Sequence, residues 1–168
     1  MRSQKVAFLG IFTALAMILS YIETLIPSFV AIPGIKLGLA NIAVIVILYK
    51  IGWKEAFAVS IIRVILSSLL FTTVLSMLYS LAGAILSLFA MILLKKIKLS
   101  TITISVIGGV CHNIGQIAVA IFMTETAELV YYLPVLLITG TISGILIGLV
   151  GAITVKKMEK FLDRNPES

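Results

Sequence analysis

The sequence predicts an all-α integral membrane protein, a single bundle of six transmembrane helices with both termini in the cytoplasm. Three observations carry this expectation. Of the 168 residues, 61% are hydrophobic and 12% charged, which is more apolar surface than a soluble domain of this length can bury. Apolar runs of about 20 residues recur along the chain, each long enough to cross a hydrocarbon core of about 30 Å. The basic residues fall almost entirely on one side of the resulting helices, the pattern that marks cytoplasmic loops.

The spacing places helices over residues 6–26, 36–50, 52–72, 74–94, 99–123 and 129–155, followed by a polar cytoplasmic tail over 156–168. The first resembles a signal peptide, since Arg2 and Lys5 precede the apolar run Val6–Ile22. Its small-residue pattern, Ala14–Ala16, lies inside the run and further spans follow, so an uncleaved first helix is expected. Pro27 and the Pro33-Gly34 pair break the chain before the second segment. That segment is short, as a tilted or partly inserted helix would be. Gly52 separates the second and third segments, Lys95–Lys98 reads KKIK, and Glu125 and Glu128 mark another exit.

On this arrangement Arg2, Lys5, Lys50, Lys54, Lys95, Lys96, Lys98, Lys156, Lys157, Lys160 and Arg164 share one side. That side is the cytoplasm and the number of spans is even. The net charge of +6 is explained by this bias without invoking nucleic acid. Only Lys36 and Arg63 depart from it. The single cysteine, Cys111, excludes an internal disulfide and lacks partners for a metal site, so neither metal nor cofactor is expected.

Small residues suggest close helix packing. Gly140, Gly144, Gly148 and Ala152 form a ridge at four-residue spacing on the last helix, and Ser76, Ser80 and Ala84 a weaker one on the fourth. Gly10 and Ala14 make a similar pair on the first helix. Each suits a neighbour within the chain, and Gly10 with Ala14 equally suits another subunit.

The polar residues are the informative ones. Arg63 lies near the middle of the third span, where a charged side chain costs at least about 2.5–3.5 kcal/mol. Ser60 and Ser67 flank it one turn either side, so that face points into the bundle. Two roles are open to Arg63, facing a ligand or pairing with Glu23 near the outer end of the first helix. On the fifth helix, Gly108–Gln116 reads GGVCHNIGQ and clusters His112, Asn113 and Gln116 within little more than a turn. Such groups in mid-membrane need partners, from neighbouring helices or from a ligand. Lys36 and Asn41 stand at the outer start of the second segment. A lysine beside exposed amides favours an anion, while snorkelling to lipid phosphate is the alternative. Tyr131 and Tyr132 fit an interfacial aromatic belt. Together Lys36, Asn41, Arg63, His112, Asn113 and Gln116 fall between the midplane and the outer surface. That layer suits a small anionic or zwitterionic molecule.

Two stretches, IPGIKLGLANI (Ile32–Ile42) and GGVCHNIGQ, resemble those of the Gx transporter family, also labelled heptaprenyl diphosphate synthase component I. That family is similar to the S components of energy-coupling-factor transporters. The resemblance implies a six-helix, multi-pass protein of a prokaryotic cell membrane that captures a micronutrient from outside. It implies as partners a transmembrane T subunit and two cytoplasmic ATPases. It also implies that Gly10 and Ala14 dock on the T subunit. The second label points elsewhere, to prenyl elongation, which needs clustered aspartates to hold magnesium and diphosphate. The chain has one aspartate, Asp163, and no P-loop, so no catalytic activity is expected. A non-catalytic membrane component of heptaprenyl diphosphate or quinone synthesis is the alternative, with the tail from Lys156 to Ser168 as its contact surface. A secondary carrier is disfavoured, because Glu23 alone offers a membrane-embedded acidic relay.

Overall fold

The computed structural model of the chain describes residues 2–26 and 38–164. Pro27, the Pro33-Gly34 break and Lys36 lie outside the described residues. The described chain is helical throughout: α1 (Arg2–Leu25), α2 (Asn41–Lys50), α3 (Trp53–Phe71), α4 (Val74–Lys96), α5 (Thr101–Thr124), a 3-10 helix (Ala127–Tyr132) and α6 (Leu133–Arg164).

Local chemistry sets the boundaries. Gly52 sits at φ +155° between α2 and α3, and Gly38 at φ +74° in the turn before α2, conformations that side chains with a Cβ avoid. The hydroxyl of Thr73 accepts from the Ser76 N–H at 3.2 Å and starts α4, while Ser100 accepts from Thr103 N–H at 3.1 Å and starts α5. These caps satisfy amide groups that have no partner within their own helix. Glu125 closes α5 in the left-handed conformation, φ 53°.

Four segments, Lys5–Leu25, Val74–Lys96, Thr101–Thr124 and Ala127–Lys160, are long and apolar enough to cross a membrane. α3 has the length, at 19 residues, but carries Lys54, Glu55 and Arg63. α2 does not have it, since 10 residues reach only about 15 Å. The segment expected over 36–50 is thus helical, among its described residues, only from Asn41. Every residue of α2 from Ala43 to Leu48 is buried. A short helix that is apolar on all sides belongs inside a bundle, and α2 packs against α1, α3 and α6. The core around it joins Val44, Ile45, Ile47 and Leu48 to Ala56, Val59, Leu88, Met91, Ile104 and Ile147.

Contacts at the helix ends fix their directions. Lys5 at the start of α1 pairs with Glu55 at the start of α3. Lys50 at the end of α2 pairs with Glu159 on α6 at 2.9 Å. Lys95, late in α4, donates to the Leu48 carbonyl and lies 4.9 Å from the Tyr49 ring centre, placing a cation where the α2 dipole is negative. These ends form one basic end of the bundle. Tyr21 and Phe71, with ring centres 5.0 Å apart, join α1 to α3 at the other. The one-sided charge expected from sequence is therefore a real end of the molecule, with Arg63 in its interior.

The tail expected to leave the helix at Lys156 does not. α6 runs on to Arg164, 32 residues in all, and the Lys50–Glu159 pair ties its last turns to α2. Polar residues ended the apolar run, but they are good helix formers and the helix continues through them.

The glycine ridge of α6 is consumed within the chain. A Cβ at Gly144 would lie 2.6 Å from Val106 Cα, and one at Gly148 2.8 Å from Ile102 Cα. Gly109 and Gly140 face each other, so that a Cβ on Gly109 would meet the Gly140 carbonyl oxygen at 2.5 Å. α5 is pressed as closely on α4, where Gly83 lies against the His112 carbonyl and Gly115 against that of Ala82. Ser80 and Ala84 of the weaker α4 ridge are buried too. Gly10 is different, since nothing lies within 4 Å of where its Cβ would be. Gly10 and Ala14 are both exposed on α1.

Candidate functional site

A cavity lies in the bundle interior, bounded by α1 to α6. Its volume is ≈ 60 Å³, several times the ~10–15 Å³ that one water molecule requires. Toward the end opposite the basic loops it is lined by Glu23, Thr24, Phe71 and Thr72. Toward the basic end it is lined by Ser87, Met91 and Ser105.

Arg63 forms part of its wall. The side chain is 8% exposed. One terminal nitrogen, Nη2, donates to Asn41 Oδ1 at 3.0 Å, and Nε has no hydrogen-bond partner. Among the described residues, the group that accepts from Nη2 is thus a neutral amide. Asn41 is presented by the first turn of α2, where its N–H donates to the Gly38 carbonyl at 2.8 Å. The tight turn at Gly38 thus sets the position of the side chain that holds Arg63.

Glu23 lines the same cavity from α1, and its charge acts on Arg63. Its Oε1 also accepts from the Leu39 N–H at 2.8 Å. A carboxylate beside the opening turn of α2 is favourably placed against the helix dipole, and it ties the end of α1 to that turn. Ser20, one turn earlier on α1 and 8% exposed, has its hydroxyl in the cavity wall without a hydrogen-bond partner.

The fifth-helix cluster divides. His112 and Asn113 line the cavity. Asn113 Nδ2 donates to the Leu136 carbonyl, so this amide also fastens α5 to α6. Gln116 is buried but stands outside the cavity lining, packed over Gly83, whose Cβ would come within 2.9 Å of its Cγ. The structure therefore brings together Asn41, Arg63, His112 and Asn113 of the residues expected from sequence. It sets Gln116 aside, and Lys36 lies outside the described residues.

Residues not anticipated complete the wall: Ser20, Ser80, Ser87, Ser105 and Ser143, with Thr24. Their spacing carried a signal. Ser20 falls at i−3 and i−4 from Glu23 and Thr24, Ser80 and Ser87 lie two turns apart on α4, and Ser105 lies two turns from His112 on α5. Each set shares one helix face.

Among the described residues, four helices long and apolar enough to cross a membrane, around a buried cavity with polar lining, define a membrane-embedded helical protein. The chain belongs to the heptaprenyl diphosphate synthase component I family, whose model matches residues 12–154. No characterised protein and no solved structure matches the chain.

Proposed function

We propose that this chain is the solute-binding membrane subunit, the S component, of an energy-coupling-factor importer for a small anionic or zwitterionic micronutrient or precursor. One observation carries this function. Arg63 is buried in the bundle with a neutral partner on Nη2 and no partner on Nε, and it faces a polar cavity. An interior guanidinium whose hydrogen bonds are incomplete is unfavourable. A carboxylate or phosphate from the solute completes them with the strong, charge-assisted geometry that arginine favours. The Ser20 hydroxyl, His112 and Asn113 give further polar contacts, and Asn41 holds Arg63 in place.

In this function all six helices are membrane-embedded in a prokaryotic cell and the basic end faces the cytoplasm, the orientation that the charge bias favours. Solute enters from the opposite side. Docking on the T subunit uses the exposed face of α1 around Gly10 and Ala14, and two cytoplasmic ATPases supply the energy. The chain itself is not an enzyme, since its one aspartate, Asp163, falls near the end of α6 among the basic residues. The test is co-expression with a T subunit and an ATPase pair, followed by purification and uptake into vesicles. Stable association and ATP-dependent uptake that Arg63→Ala abolishes are expected. Failure to associate with any T subunit would sink the proposal.

The family description favours a second function, a non-catalytic membrane component that anchors a soluble heptaprenyl diphosphate synthase. Its contact surface would be the end of α6 from Lys156, where Lys156, Lys157, Glu159 and Lys160 are exposed. Truncation there abolishes partner binding under this alternative and spares it in an S component.

A further inference from the structure

The cavity does not end at Arg63. On α3, Arg63 is its lining residue nearest the basic end, and it stands ten positions after Trp53, about 15 Å along the helix. On α4 the lining continues to Met91 and on α5 to Ser105, about 8 Å and about 6 Å from the basic ends of those helices. A leg of roughly 8 Å therefore extends past Arg63 toward the basic end. From Ser80 to Met91 alone the cavity follows α4 for about 16 Å, yet its volume is only ≈ 60 Å³. So small a volume over such a length is a slot.

The walls of the leg are Ser87, Met91, Ser105 and Gly108, with Ile45 and Ile147 beside them. None is charged. Ser87 Oγ reaches Met91 Sδ at 3.8 Å, a weak and easily exchanged contact. Gly108 packs directly on this wall, since a Cβ there would lie 2.9 Å from Met91 Cγ and Sδ and 3.2 Å from Ser87 Oγ and would push those side chains into the leg. Hydroxyl and thioether walls accept an uncharged chain and penalise a second buried charge.

Resting on the solute-binding function above, we infer that the cavity takes an elongated solute, its acidic group at Arg63 and a thin, uncharged chain in the leg between Ser87, Met91, Ser105 and Gly108. The specificity-determining residues for chain length are Gly108 and Met91.

The test places single cysteines in a Cys111→Ser background. Ser67→Cys reports the part of the cavity above Arg63, Ser105→Cys the leg, and Ile104→Cys a buried neighbour that does not line the cavity. Each variant is labelled in membranes with the small uncharged reagent methyl methanethiosulfonate. Ser105→Cys should react and Ile104→Cys should not. Hexanoate at ten times its Kd should slow labelling of Ser105→Cys about tenfold, acetate should leave it unchanged, and Arg63→Gln should remove the protection. Adding Gly108→Ala should silence Ser105→Cys while Ser67→Cys still reacts. Equal protection of Ser105→Cys by acetate and hexanoate overturns the elongated solute. Reaction at Ser67→Cys with Ser105→Cys as inert as Ile104→Cys overturns the leg and leaves the solute-binding function standing. If Ser67→Cys is inert as well, that function itself is overturned.

Discussion

Replacing Arg63 by methionine separates a ligand-facing arginine from a structural one by the sign of the stability change. Methionine fills similar space and carries no charge. Removing the charge from mid-membrane recovers about 2.5–3.5 kcal/mol on insertion scales. Against this stands, among the described residues, the hydrogen bond from Nη2 to Asn41 Oδ1, worth about 1.5–3 kcal/mol for a charged donor. The net change therefore falls between roughly zero and 2 kcal/mol in favour of the variant, and the lost attraction of Glu23 moves it toward the lower end of that range. Were Arg63 half of a satisfied buried pair, its removal would instead cost about 3–5 kcal/mol. The assay is thermal unfolding of solute-depleted protein in detergent, read by a thiol-reactive dye. The half-buried Cys111 is the only thiol and becomes fully reactive on unfolding. At about 2–4 °C per kcal/mol for a chain of this size, Arg63→Met should melt at or a few degrees above the wild type. A fall of more than about 6 °C would refute the reasoning and make Arg63 structural.

Other expectations follow from packing and charge. Gly144→Val should lower the melting temperature through overpacking of about 1–3 kcal/mol or more, because its Cβ would press on the backbone at Val106 and Ser105. Gly10→Val, by contrast, should leave melting unchanged, since nothing lies within 4 Å, while abolishing co-purification with a T subunit. Glu159→Ala breaks an ion pair whose carboxylate side chain is 60% exposed and should cost under about 1 kcal/mol, less at high salt. Truncation after Val155 should leave solute binding intact, as measured by equilibrium dialysis of the retained solute.

The helix order was legible because its punctuation is strong: Gly52, the lysines of KKIK and Glu125 stand where the structure breaks. The extent of α2 was not. A helix buried on every side has no polar face, so its apolar run cannot show where it begins. The turn at Gly38 decides that. α6 was cut short because Lys156 and Lys157 signal an exit from lipid, and an exit from lipid is not the end of a helix. At the site, Arg63 was visible as a charge in an apolar run, but its partner was not. Asn41 meets it only because the Gly38 turn and the Glu23–Leu39 bond place α2 beside α3, a tertiary fact. Gln116 shares a face with Asn113, yet the glycine-close approach of α4 and α5 takes it out of the cavity wall. The serines were overlooked singly. A helical serine can bond to its own helix, and only the sharing of a face with other polar residues, as by Ser80 with Ser87 and Ser105 with His112, points inward.

The solute-binding role of Arg63 is tested most directly by native mass spectrometry of the purified chain. The wild type should retain a small molecule bearing a carboxylate or phosphate group, and Arg63→Met, purified in parallel, should have lost it. Retention of the same molecule by both proteins, or of none by the wild type, would contradict the assignment.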